Sequence, residues 1–247
     1  MSIMQRFFLT EDAFQGEVIY FPEDISHQIS RVLRMKPGDQ VVAINPLGKE
    51  YHLTLQDVNP KICIGKVDSV QAAMGEPTLQ LDLYVALTQR EKFEWILQKC
   101  TEVGVSSITP VVTERSLVFN QQSVDKKQER WQKILKEAAE QSQRGRVPDL
   151  KETLDYETVC SQVRADRRLI AWVGETSQNL KAALGDGSVN QLALLIGPEG
   201  GFSTKEIQTA IASGWSPFTM GKRVLRMETA AVVACALIFY ESEEMGA

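Results

Sequence analysis

The sequence predicts an α/β protein built on an open, mostly parallel sheet and preceded by a small β-barrel. Two observations carry this. Up to about residue 70, short stretches of strand-like composition are separated by turn signals; beyond residue 78, apolar strands alternate with segments of helical period to the end of the chain. A third observation is a glycine-rich loop between an apolar strand and a capped helix, where open α/β sheets present ligand-binding loops.

Residues 18–21 (VIYF), 40–44 (QVVAI), 51–55 (YHLTL) and 62–67 (ICIGKV) read as strands. Pro37-Gly38-Asp39 and Asn45-Pro46-Leu47-Gly48 read as turns, and residues 24–33 as one short helix. Residues 71–78 (QAAMGEPT) form a linker, so the expected domains are 1–72 and 73–247. In the second, Leu79, Leu81, Leu83, Val85 and Leu87 alternate as a strand. Phe93, Ile96, Leu97, Cys100 and Val103 then recur at helical spacing up to a terminating Gly104. Strands at 108–112, 169–173, 192–196 and 218–220 alternate with helices at 125–144, 177–184, 203–214 and 228–241, the third opened by the capping box Ser203-Thr204-Lys205-Glu206.

Composition narrows the function classes. The chain has 247 residues, 43% of them hydrophobic, enough for a substantial core. Its longest apolar run, 230–240, is too short to span a bilayer and reads as a buried helix. The N-terminus lacks the pattern of a signal peptide. Cys63, Cys100, Cys160 and Cys235 are scattered and read as free thiols, so a cytoplasmic location is expected. His27 and His52 add no metal-ligand spacing, and no metal site is expected. A net charge of −5 gives no global attraction for nucleic acid, so any such affinity must come from local patches.

Four segments could carry chemistry. Gly197-Pro198-Glu199-Gly200-Gly201 follows the strand at 192–196 and is either a tight structural turn or a loop that lets a ligand approach the backbone; it matches neither a dinucleotide fingerprint nor a P-loop. The segment 220–230 (MGKRVLRMETA) packs Lys222, Arg223 and Arg226 just before a helix, where cations are disfavoured unless an anion is near. Residues 125–146 hold seven Lys or Arg (Lys126, Lys127, Arg130, Lys133, Lys136, Arg144, Arg146) against four Asp or Glu, a helix end with ordinary charges or an anion-facing strip. Arg31, Arg34 and Lys36 in the first domain could contact phosphate, whereas His27 beside them reads as structural.

In order along nearly the whole chain, these segments resemble the RsmE family of SPOUT-class RNA methyltransferases. The resemblance rests on H-x-x-x-R-V-L-R-M-K-P-G-D at 27–39, K-x-x-W-I-L-Q-K-C-T-E-V-G-V at 92–105, E-A-A-E-Q-S-Q-R-G-R-V-P at 137–148, IGPEGGF at 196–202 and MGKRVLRMETA at 220–230. It departs slightly at Met220, where leucine is usual, and at the variable position Met227. It implies a PUA-like β-barrel followed by a SPOUT domain with a C-terminal trefoil knot, a homodimer, and methylation of uridine N3 in 16S ribosomal RNA of the small subunit. It further implies S-adenosylmethionine held by backbone groups of three loops, at Trp172 and Val173, at Ile196, Gly197, Pro198, Gly200 and Gly201, and at Met220, Gly221, Val224, Leu225 and Arg226. Arg31, Arg34, Arg144, Arg146, Lys222 and Arg223 are then the candidate RNA contacts. Uridine N3 carries a proton at neutral pH, so a base or an anion stabiliser is needed; Glu228 and Arg226 are the candidates. Glu228 could equally serve only to complement the helix dipole. A SPOUT enzyme acting on a ribose 2′-OH, or an RNA-binding protein without catalysis, are the competing readings.

Overall fold

The structure is a computed structural model that describes residues 4–116, 121–187 and 189–245, with the side chains of 121–126 left aside. The chain divides into two compact units, residues 1–76 with 139–147 and residues 77–138 with 148–247. The first unit thus reaches a few residues past the expected boundary and takes in a second, distant segment.

In the first unit, strands β1 (Gln5–Phe8), β2 (Phe14–Gln15) and β3 (Val18–Phe21) lead to a one-turn helix α1 (Glu23–His27), then β4 (Gln40–Ile44), β5 (Lys49–Asp57) and β6 (Cys63–Ala72). They form one mixed sheet in the order β1-β4-β5-β6-β3-β2, in which only the β1–β4 pair is parallel. All six strands send side chains into one core. Phe7, Ile19, Phe21, Val41, Ala43, Leu53, Leu55 and Cys63 are buried there, with Phe14 packed against them, so the sheet curls around its own apolar face. After α1 the backbone continues as a π-turn over Gln28–Val32, and Arg34 ends it in the left-handed region at φ 53°. That turn leaves Arg31, Arg34 and Lys36 exposed.

The second unit holds β7 (Gln80–Ala86), α2 (Arg90–Val103), β8 (Ser107–Val112), most of α3 (Gln121–Gln141), β9 (Asp149–Leu150), β10 (Leu154–Asp155), α4 (Tyr156–Gln162), β11 (Arg167–Ala171), α5 (Leu180–Leu184), β12 (Gln191–Ile196), α6 (Thr204–Ala212), β13 (Ser216–Phe218) and α7 (Met227–Glu241). The strands lie in the order β10-β8-β7-β12-β11-β13, with β9 also on β8, and every pair is parallel. Buried on both faces, they read as nearly continuous apolar runs. Alternate residues of β11 and β12 point opposite ways. Ile170, Ala193 and Leu195 meet α4 and α6 in one core, while α2, α5 and α7 pack together as a separate group, with α7 against β12.

Helix α7 is apolar around its whole circumference. Ala231, Ala234, Cys235, Ile238 and Phe239 are buried, yet the opposite side carries Val232, Val233, Ala236, Leu237 and Tyr240, the last two 40% and 65% exposed. No described helix is long and apolar enough to cross a membrane. The four cysteines are free and buried.

Candidate functional site

The site follows from strand order. β11 passes through α5 to β12 on one side of it, and β12 passes through α6 to β13 on its other side. The chain therefore reverses direction around β11. At such a switch point adjacent loops diverge and leave a crevice at the carboxyl ends of the strands. The loops after β11, β12 and β13 line a cavity of about 1020 Å³ there. That is the size of a pocket for a drug-sized ligand.

The loop after β11 begins at Trp172 and Val173. The Trp172 N–H donates to the Phe218 carbonyl (3.1 Å), and the turn is closed by Glu175, whose carboxylate accepts from the Ser177 N–H (2.7 Å), the Ser177 hydroxyl (2.6 Å) and the Gln178 N–H (3.0 Å). These donors hold Glu175 down at about 2, so it stays charged.

The loop after β12 is the glycine-rich segment. Gly201 N–H donates to the Pro198 carbonyl (2.8 Å), closing a turn. Gly197 lies against the Phe202 ring so closely that a Cβ there would sit 2.7 Å from it, which no side chain permits. Ser203 then caps α6. Its hydroxyl accepts from the Glu206 N–H (3.3 Å), and Glu206 Oε2 accepts from the Ser203 N–H (2.8 Å), the capping box that the sequence predicts. Glu199 projects from the same loop toward Lys92 of α2 and Thr88. The Lys92 ammonium, with help from the Thr88 hydroxyl and the nearby Arg226, holds the Glu199 carboxyl below the usual carboxylate range.

The loop after β13 turns at Gly221, whose φ of 98° favours glycine. It carries Lys222, Arg223 and Val224, all exposed, and reaches Arg226, the extended residue that precedes α7. Glu228 stands in the first turn of α7, and its Oε2 is buried without a hydrogen-bond partner among the described residues.

The structure gathers Trp172, Val173, Ile196, Gly197, Pro198, Gly200, Gly201, Met220, Gly221, Val224, Leu225, Arg226 and Glu228 around this one cavity, with Lys222 and Arg223. Sequence reasoning assigned no role to Lys92, Glu199, Phe202 or Thr219, which also line it. The residue spacing of α2 and of the glycine-rich loop holds no signal that would pair Lys92 with Glu199, since only the sheet brings them together.

The expected RNA contacts fare unevenly. Arg31, Arg34 and Arg146 are exposed. Arg144 is 4% exposed, and its guanidinium donates to the Glu76 carboxylate from Nη2 (2.7 Å) and Nε (3.2 Å). The Gly145 N–H (2.9 Å) and the Arg146 N–H (3.3 Å) donate to the same carboxylate. A phosphate would have to displace a half-buried carboxylate that accepts several hydrogen bonds, so the buried Arg144 guanidinium ties residues 144–146 to Glu76. In the expected strip along 125–146, Arg130 is likewise spent on Glu94 (2.6 and 2.8 Å) and Lys133 lies 3.8 Å from Glu137, while Lys126 falls outside the described side chains. Among the described residues no cluster of His, Cys, Asp or Glu could hold a metal ion.

Comparison with known proteins places relatives beside this geometry. A family model described as an RNA methyltransferase domain matches residues 75–239, and one described as an RNA methyltransferase PUA domain matches residues 21–68. Curated relatives named ribosomal RNA small subunit methyltransferase E include one from Synechocystis, 35% identical over 86% of this chain and 69% of the relative. Another, from Bacillus subtilis, is 30% identical over 97% and 98%. Among solved structures, a Legionella pneumophila protein with the cofactor SAM bound superposes with a TM-score of 0.89 at 29% identity, covering 96% of this chain and 98% of that one. The small subunit methyltransferase E of Neisseria gonorrhoeae, bound to S-adenosyl methionine, gives 0.86 at 28% identity over the same shares.

Proposed function

The chain belongs to the RNA methyltransferase family, with a SPOUT-type α/β unit and a PUA-like sheet, and from that premise we propose that it transfers the methyl group of S-adenosylmethionine to N3 of a uridine in 16S ribosomal RNA of the small subunit. The observation that carries this is the meeting, at one strand-order switch point, of three ligand loops with Arg226 and Glu228.

The residues present fit the cofactor. The cavity has the volume for it, and two of its loops turn at glycines. Trp172, Gly197, Gly200, Gly221 and Leu225 would hold it. When bound, it supplies an electrophilic methyl on a sulfonium. The chain supplies orientation and proton handling. Glu228 Oε2, a buried acceptor with no donor among the described residues, takes the N3 proton as general base. Arg226 faces the negative charge that spreads to the uracil oxygens as that proton leaves. N3 lies on the pairing edge, so the base must be unpaired or extruded to enter. Lys222 and Arg223 at the cavity, and Arg31, Arg34 and Arg146 in the first unit, contact the RNA backbone.

The protein acts as a homodimer in the same reading, and the C-terminal knot of this fold class is part of it. Support for the dimer comes from α7, since a helix that is apolar all round belongs in an interior. Leu237→Glu is expected to convert a dimer to monomer in sedimentation equilibrium; a wild-type chain that sediments as monomer at micromolar concentration would refute it.

The decisive assay uses methyl-labelled S-adenosylmethionine, small ribosomal subunits lacking the modification, and nucleoside analysis after digestion. Label in 3-methyluridine is expected. Label in a 2′-O-methyl nucleoside would keep the enzyme class and overturn the acceptor; failure to bind the cofactor would leave an RNA-binding protein.

A further inference from the structure

We infer that Arg115, outside the cavity, is a positioning residue that sets the conformation of the glycine-rich loop and thereby the affinity for S-adenosylmethionine, an inference that rests on the functional reading above. Arg115 Nη1 donates to the Gly200 carbonyl (2.7 Å). Its hydrocarbon stem lies over the open face of the same glycine, where an added Cβ would come within 3.3 Å of Arg115 Cδ and 3.5 Å of its Cβ. Arg115 is not among the residues that line the cavity, so it grips the loop from the side away from the ligand.

The grip is anchored. Arg115 sits in a turn after β8 in which the Ser116 N–H donates to the Thr113 carbonyl (3.1 Å) and the Thr113 N–H to the Ser116 hydroxyl (3.0 Å). The neighbouring Glu114 N–H donates to Glu206 Oε1 (2.9 Å), the carboxylate that also closes the α6 capping box. The C-terminal half of the glycine-rich loop and the first turn of α6 are therefore tied to one hydrogen-bonded turn from a strand two places away in the sheet. The physical need is plain. A loop with three glycines in five residues has more conformations to lose than any other, and a ligand read by backbone groups is bound tightly only if those groups are already in place. A charge-assisted hydrogen bond to Gly200 removes part of that cost before the ligand arrives.

The test compares wild type, Arg115→Ala and Arg115→Lys in the full-length chain. It reads S-adenosylmethionine binding by calorimetry, steady-state kinetics against cofactor and RNA separately, and thermal melting without ligand. For Arg115→Ala, Kd and KM for the cofactor should rise roughly tenfold, about the worth of one charge-assisted hydrogen bond. kcat and KM for RNA should stay within about twofold, ligand-free melting should be unchanged, and lysine, which keeps one donor, should restore part of the affinity. Unchanged cofactor affinity in Arg115→Ala beside a binding wild type overturns this inference alone. A raised KM for RNA with normal cofactor affinity also overturns it and makes Arg115 an RNA contact, and a fall in ligand-free melting that matches the loss would reduce it to general stability. A wild type that does not bind S-adenosylmethionine overturns the reading of the site itself.

Discussion

Arg226→Ala is expected to lower kcat by roughly 10²–10³-fold, the usual effect of removing one preorganised donor from developing charge, while the Kd for S-adenosylmethionine stays within a few-fold. The separation is clean for structural reasons. Arg226 precedes α7 but makes no side-chain cap to it, so truncation costs the helix nothing. It lies near Glu199, yet the first partner of Glu199 is Lys92, and that pair survives the change. What disappears is one cation at the cavity. Single-turnover rates beside equilibrium binding would check this; turnover within a few-fold of wild type would remove Arg226 from the chemistry.

Glu228→Gln should cost on the order of 10²–10⁴ in kcat, the range for loss of a general base. A buried acceptor without a donor costs a fold about 1–3 kcal/mol, and the Oε2 of Glu228 has none among the described residues. It makes sense as an atom kept free for a substrate proton. The competing role, a carboxylate that complements the α7 dipole, predicts something different: stability lower by about 0.3–1 kcal/mol with the rate nearly intact. Chemical denaturation and the single-turnover rate of the same variant decide between the two.

Much of this was legible in the sequence, and what was not has physical causes. The strands at 18–21 and 40–44 and the helix ending at Gly104, with φ 120°, came directly from alternation and capping chemistry. Strand β1 escaped notice because its residues, Gln5 to Phe8, do not alternate cleanly, and its parallel pairing with β4 is a tertiary matter. Helix α4 was missed although Asp155 caps it, with its carboxylate accepting from Thr158 N–H, because seven residues give too little period to count. The glycine-rich composition of the loops that line the cavity was readable in the sequence. Their convergence was not, since it depends on β12 and β13 flanking β11. Arg144 shows the opposite failure. A guanidinium in a sequence reads as a surface cation, and only the carboxylate of Glu76, far away in the chain, reveals it as buried.

That carboxylate has a consequence for how the protein is made. A ribosome releases the chain from its N-terminus, yet the first unit is finished only by residues 139–147, including Arg144 on Glu76 and Glu140, which accepts from the Phe8 N–H (3.1 Å). When β6 has emerged, the nascent sheet still lacks these closing partners, and β7, α2, β8 and α3 must be synthesised before they arrive. A fragment cut at residue 76 would therefore lack the segment that completes the first unit, and it is expected to be less stable than that unit in the full chain.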